Sequence, residues 1–464
     1  MARGKKKETL TPEERLQAAL VPESEQPYKV PRNWCWVRVS SVCEFERGIT
    51  FPASAKEKEP TNTNIPCLRT ANVQDELEID DLIYVDKAYM KGNEAKLVQK
   101  DDIIMSSANS RELVGKTSYV HDVPFPMTFG GFVLTIRAKT IISKYLFYFL
   151  RLEFLSGHFM GESTQTTNIA NINITKLGGY ALSCPPLAEQ QRIVDRIESL
   201  FARLDEAKQK AQDALDSFET RKAAILHRAF TGELTARWRK EHGVGMESWR
   251  TVTFKDACLK ITDGTHHSPV NTPTGEYMYV TAKNIKETGI DLTNITFVSK
   301  DVHDEIYSRC DVQYGDVLYI KDGATTGIAA VNTIEEPFSL LSSVAVLRPD
   351  KKQIVAEYMV YNLNSSKTKT MMINNMSGNA ITRLTLSKIK TAPITVCSLD
   401  EQNEIVRILD DLLAKEQQAK EAAERVLEQI DLIKKAILAR AFRGELGTND
   451  PSEESAMELL KSVV

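Results

Sequence analysis

The sequence predicts an α+β protein in which two mixed α/β domains alternate with two long helices, the whole forming an internal pseudo-two-fold repeat. Three observations predict this. Residues 187–234 align without gaps to 399–446, an offset of 212, with 21 of 48 positions identical, and a fixed internal period determines architecture before any motif is weighed. Both copies bear an apolar stripe stepping by threes and fours, the mark of a coiled-coil seam. The stretches before each copy are short β-rich runs broken by polar, glycine-bearing loops.

Taken in chain order, residues 1–27 form a flank whose basic start, Met1-Ala-Arg-Gly-Lys-Lys-Lys7, lacks the apolar stretch and cleavage site of a signal peptide. Thr11-Pro-Glu-Glu14 then opens a short capped helix. Residues 28–184 form the first globular domain, with a strand in 131–136 and a helix in 144–151. Residues 185–234 form the first helical spacer, which starts after Pro185-Pro186. Its seam is Ile193, Ile197, Leu200, Leu204, Ala207, Ala211, Ala214, Phe218 and Ile225, with Arg221 as the lone polar seam position. From Leu187 to Ala229 such a helix runs ~65 Å at roughly 1.5 Å per residue.

Residues 235–248 link to the second domain, 249–396, with a strand in 343–347 and a helix around 357–361. Residues 397–446 form the second spacer, with seam residues Ile405, Leu409, Leu412, Ala419, Ala423, Val426, Ile430, Ile433 and Ile437, and Glu416 as its lone polar position. Gly232 and Gly444 follow the helix ends as C-terminal glycines do. The flank 447–464 holds another short helix, and the two flanks are expected to pack near each other and close the arrangement into a ring. The domains themselves match more weakly: 166–177 with 378–389 and Asn72 with Asn284 at the same offset, and, more loosely, 100–104 beside 314–318 and Trp36 near Trp249.

Composition bounds the function. A chain of 464 residues, 42% hydrophobic and 26% charged, is that of a soluble protein with more than one domain. No apolar run reaches the roughly 18 residues of a membrane span, and a cytoplasmic location is expected. The seven scattered cysteines form no Cys-x-x-Cys pair and read as reduced, mostly buried thiols. The net charge of −4 lacks the basic excess of most nucleic-acid binders, so such a reading must rest on local clusters.

Catalytic constellations are missing. No phosphate loop and no Gly-x-Gly-x-x-Gly occurs; Phe129-Gly-Gly-Phe132 and the glycines of 321–327 lack the strand-loop-helix context that cradles phosphate. His266-His267 has no second ligand pair at metal-binding spacing. Pro349-Asp350 is followed by no Glu-x-Lys, and a turn explains it. A DNA methyltransferase would need a glycine-rich cofactor loop and an Asn/Asp-Pro-Pro-aromatic motif, and neither is present. No cofactor, metal or catalytic residue is expected.

The duplicated Leu-x-Glu-Gln, the Ala-Ile-Leu-x-Arg-Ala-Phe-x-Gly-Glu-Leu endings (Ala224 to Leu234, Ala436 to Leu446) and Pro27-Tyr-Lys-Val-Pro-Arg-Asn-Trp34 resemble the specificity subunit of Type I restriction-modification systems over nearly the whole chain. The resemblance implies two target-recognition domains, each reading half of a bipartite site in double-stranded DNA. It implies spacer helices that pair as an antiparallel coiled coil, act as a ruler and dock two methyltransferase subunits, to which restriction subunits are added.

Base readout would come from loops. In the first domain Asn109, Arg111 and Lys116 are the residue types that pair with adenine, guanine and phosphate, with Thr164 and Gln165 nearby in 162–168. In the second, Thr265, His266, His267, Lys321 and Thr325 are analogues, with Asn379 and Arg383 in 377–383 matching the position of Thr164 and Gln165. For docking, Arg192 and Arg228, with Arg196, Glu198 and Lys222, offer a charged outer face. Phe230 and Phe442 lie off the seam at the spacer ends. Two other classes stay open at this point: an enzyme with unfamiliar motifs, to be revealed by metal-dependent cleavage of DNA by the chain alone, and a scaffold whose variable domains bind proteins.

Overall fold

The computed structural model describes residues 11–162, 164–166, 169–374, 376 and 383–461. It divides into two compact units, Met1–Lys210 with Val426–Val464, and Ala211–Arg425. The division cuts through the spacers, so each unit owns one globular domain, the start of one spacer helix and the end of the other.

In the first unit a four-stranded antiparallel sheet runs in the order Cys43–Arg47, Val133–Ala138, Ile103–Ser106, Thr117–Tyr119. In a second sheet Asn64–Leu68 pairs antiparallel with Ile83–Asp86 and parallel with Thr128–Phe129. The helix Ser143–Leu155 buries Tyr145, Leu146, Phe149 and Leu150 in the core. Asn64–Leu68 and Ile103–Ser106 are buried almost throughout, as expected of strands covered on both faces. The flanking helices Pro12–Ala19 and Ala456–Lys461 share that core through Leu16, Ala456 and Leu460. The first is opened by a Thr11/Glu14 capping box.

The second unit repeats the plan. Its four-stranded sheet is Cys258–Asp263, Val344–Pro349, Val317–Ile320, Ala329–Val331, and its helix Ala356–Asn364 buries Tyr358, Met359 and Leu363. Strand register corrects one sequence match. Cys35 pairs with Cys184 and Trp36 with Ser183, whereas Arg250 pairs with Val396 and Thr251 with Thr395. The counterpart of Trp249 is therefore Trp34, and Trp36 corresponds to Thr251.

The same contacts weld each domain to the head of its spacer helix. The Trp34 indole donates to the carboxylate of Glu189 at 2.7 Å, and the Trp249 indole to Glu401 at 2.9 Å. Gln190 Oε1 accepts the Ile142 amide at the start of the domain helix and Gln402 Oε1 the Val355 amide, both at 2.9 Å. Their amide groups donate to the carbonyls of Pro185 and Cys397. All four residues of the duplicated Glu-Gln pairs are fully buried, which explains why this short motif is strict: a buried polar group left unpaired costs about 1–3 kcal/mol.

Within each unit the spacer helices run antiparallel. In the first, Ile193 and Ile197 share a core with Leu438 and Phe442, and farther along Asp205 meets Lys434 at 2.6 Å. In the second, Leu226 and Ala229 share a core with Ile405 and Leu409, while Arg221 meets Glu416 at 2.8 Å. The lone polar seam residues of the two copies are thus each other's partners, a pairing that specifies register.

Two expectations are revised. The first spacer helix ends at Asp216 and resumes as Phe218–Phe230, whereas the second runs unbroken over Leu399–Phe442. Ser217 Oγ bonds the carbonyls of Asp213 and Ala214, and Arg221 donates to Ala214 O, so side chains take up backbone groups of the interrupted ladder. The stripe is also wider than two helices cover: Ala419, Val426 and Ile433 remain exposed.

Glu401 also holds Arg239 and the Thr235 hydroxyl, the latter at 2.6 Å. Glu401→Gln removes a buried charge facing a guanidinium, and we expect a loss of about 3 kcal/mol, measured as a lower urea midpoint for the unfolding of the second unit.

Candidate nucleic-acid interface

Both four-stranded sheets end in equivalent loops. The strand Ile103–Ser106 leads into a loop that closes when Gly115 N donates to Ser106 O at 2.8 Å. In the second domain Gly327 N donates to Ile320 O at 2.9 Å. Below each loop a bidentate ion pair fixes the strand, Arg137 to Asp102 and Arg348 to Asp316. Each aspartate also accepts the backbone amide three residues before it, from Gln99 and from Gln313. Loops anchored in this way can carry variable side chains on a rigid base.

In the first domain Asn109 sits on this loop in a short strand, Ala108–Asn109, that pairs with Ile169–Asn171, which in turn pairs with Thr164–Thr166. The register Gln165, Ala170, Asn109 brings two sequence-predicted positions into one row, and Thr164, Asn171, Ala108 forms the next. Asn109 donates to Ser106 Oγ at 3.0 Å. Arg111 is exposed at the loop tip, with no side-chain partner among the described residues. Lys116 is half-buried and donates to Gln74, which engages it inside the domain.

In the second domain Thr325 is exposed at the loop tip, and Arg383, also exposed, adjoins the loop through Leu384 N donating to Lys321 O at 3.2 Å. Ile172 N to Ser107 O is the equivalent bond in the first domain. Asn379 lies outside the described residues. Lys321 is 6% exposed, its ammonium held by Asp322 at 2.8 Å and Asp263 at 3.5 Å. Asp263 also faces His266 at 3.4 Å. Lys321 is therefore an internal anchor that ties the Thr325 loop to the His266 loop. Thr265 Oγ1 accepts the His267 amide, and both histidines are exposed.

The sequence reading missed the first-domain counterpart of the histidine loop. A Cβ on Gly48 would stand 2.1 Å from Gly130 O, and one on Gly264 would stand 1.9 Å from Leu340 O, so each glycine permits the same close crossing of two chains. Ile49 and Thr265 form equivalent bridges beyond it. In the first domain the crossing lines a depression of about 430 Å³ with Phe51, Lys56, Arg69 and Phe132. Phe132 is 61% exposed. The signal was present as a glycine closing the first sheet strand in each copy, but its partner is distant in sequence.

Of the docking candidates, Phe442 is wholly buried, its ring 5.0 Å from Tyr145 and 5.6 Å from Phe149. It serves the chain's own core, so its lying off the helix seam does not make it available to a partner. Arg192 forms a bidentate pair with Glu453. Phe230 is half-buried against Tyr358, and Arg228 is exposed. All seven cysteines are free thiols, and burial pushes that of Cys43 up to about 12. Among the described residues no helix is long and apolar enough to cross a membrane.

Comparison with known proteins agrees with this organisation. The family model for the Type I restriction modification DNA specificity domain matches twice, over residues 31–215 and 246–428. The chain is 25% identical to the Type I restriction enzyme EcoKI specificity subunit of Escherichia coli K12 over 435 residues, 90% of each chain. It is 24% identical to the StySPI specificity subunit of Salmonella potsdam, again over 90% of each. The crystal structure of the HsdS subunit from Thermoanaerobacter tengcongensis shares the fold with a TM-score of 0.65 at 19% identity, over 91% of this chain and all of that one. Two family matches, one in each repeat and each taking in a globular domain and the head of its spacer, show that the chain belongs to the Type I restriction-modification DNA specificity family.

Proposed function

We propose that this chain reads a two-part DNA sequence, one part with residues 28–184 and the other with 249–396, while the spacers at 185–234 and 397–446 set the unread gap. The carrying observation is that equivalent loops on equivalent anchors bear different residues: Asn109, Arg111 and Gln165 on one side, Thr325, Arg383 and the Thr265–His267 stretch on the other. Unlike faces on like frames suit two unlike half-sites, where identical faces would suit a pseudo-palindrome. In the first domain the reading extends to Phe51 and Phe132, and in both it excludes Lys116 and Lys321 as free phosphate contacts.

The spacers also serve as docking surface for methyltransferase subunits, one for each half of the repeat, with restriction subunits joining that core in the cytoplasm. Val426, Leu432 and Ile433, exposed along the second spacer, support this because apolar residues of one helix left uncovered mark an interaction face. Arg228 supplies charge at the end of the first spacer.

Selection of bound duplexes from a random pool, using the chain with its methyltransferase subunit, is expected to return two short unlike sequences at a fixed separation. A single contiguous motif would refute the two-part reading. Arg111→Ala is expected to weaken binding by roughly ten- to hundred-fold and relax specificity at one base pair of one half-site, measured by titration against single-base variants of the selected site. Thr325→Ala with Arg383→Ala should relax the other half-site only.

A further inference from the structure

The two halves of the repeat differ at one place near the end of each spacer helix. In the first unit Tyr28 lies in the angle between the second spacer helix and the strand Cys35–Arg38. Its hydroxyl donates to Phe442 O at 3.2 Å, its ring packs edge-on against Trp36 at 4.9 Å, and the Arg443 guanidinium stacks over it at 5.5 Å. Burial pushes the Tyr28 hydroxyl up to about 12, which keeps it a neutral donor. Pro31 covers the terminal glycine, 2.6 Å from where a Cβ on Gly444 would stand.

In the second unit the chain takes the same path with other residues. Met246 covers Gly232 as Pro31 covers Gly444, and Trp249 N bonds Met246 O as Trp34 N bonds Pro31 O. Counting back from these pairs, the place of Tyr28 falls to Gly243, the left-handed cap of the helix Ala236–His242. The place of Trp36 falls to Thr251, by strand register. Both rings are gone, and a groove of about 500 Å³ stands there, with Leu226, Phe230, Met371 and Ile394 among its lining and Ser366 and Lys367 at its rim.

We propose that this groove receives a tyrosine-bearing extended segment of the methyltransferase subunit that docks on the second unit, its phenol donating to Phe230 O as that of Tyr28 donates to Phe442 O. The chemistry is stated by the filled copy: an aromatic ring on an apolar floor with a hydroxyl at the helix's terminal carbonyls. The proposal rests on the docking reading above, and adds that the chain occupies one of the two equivalent grooves itself and leaves the other for its partner.

The test is the stoichiometry of methyltransferase subunits on the full chain, read by native mass spectrometry and titration calorimetry, with Thr251→Trp restoring the bulk that Trp36 supplies in the other copy. Two subunits on the wild-type chain and one on the variant, or an approximately ten-fold weaker second binding step, are expected, with DNA binding by the chain unchanged. Ser366→Trp, which closes the groove from its exposed rim, gives the same loss if Thr251→Trp fails to fold. Two subunits bound with unaltered affinity by either folded variant overturns the groove and leaves the docking reading standing. A wild-type chain that binds no methyltransferase subunit overturns the docking reading, and the groove's occupant with it.

Discussion

The fold depends on a carboxylate and an amide buried side by side at the head of each spacer helix. Glu189 and Glu401 accept a hydrogen bond from the indole just before the strand that opens each domain, while Gln190 and Gln402 accept one from the backbone amide that begins the domain helix and donate one to the carbonyl at the start of the spacer. Burying such groups costs several kcal/mol unless every atom is matched, so the geometry tolerates one arrangement of domain on helix. A domain attached through an ordinary loop would be free to swivel, whereas one attached through three directional bonds inherits the direction of the helix.

The two copies solve the same problem with different partners. Glu401 faces the cation of Arg239 and the Thr235 hydroxyl, whereas Glu189 is matched by neutral donors, Trp34 with Asn449 at 2.9 Å and Thr448 at 3.4 Å, all from segments next to the repeat. The same divergence appears at the groove, where Tyr28 and Trp36 become Gly243 and Thr251, and along the spacers, where Arg221 and Glu416 interrupt the seam. Duplication supplied one frame twice. Divergence at its edges then gave each half its own loop residues and its own neighbours.

Much of this was legible in the sequence because the informative signals were local. The spacing of Ile193, Ile197 and Leu200 implies a helix whatever surrounds it, and the duplicated Leu-x-Glu-Gln marks the head of each spacer. What escaped depends on distant contacts. The match of Trp36 to Trp249 followed residue type, while strand pairing shows Trp34 in that role. Lys321 read as a loop cation, and only the fold brings Asp263 beside it. Phe442 read as a free end of the spacer because the helix Ser143–Leu155, which covers it, comes roughly 300 residues earlier. The break at Ser217 turns on a hydroxyl bonding a carbonyl within its own helix, a local competition that helical periodicity does not register.

The central claim is that rigid attachment lets spacer length set the distance between half-sites. The most direct measurement is duplex selection with a chain from which seven residues have been removed from each spacer, around the repeat-equivalent Ala211 and Ala423, so that the seam keeps its phase. At roughly 1.5 Å per helical residue and ~3.4 Å per base pair, the unread gap should shorten by about three base pairs with both half-sites unchanged. An unchanged gap would contradict the claim, because the separation would then be set by something other than the helices.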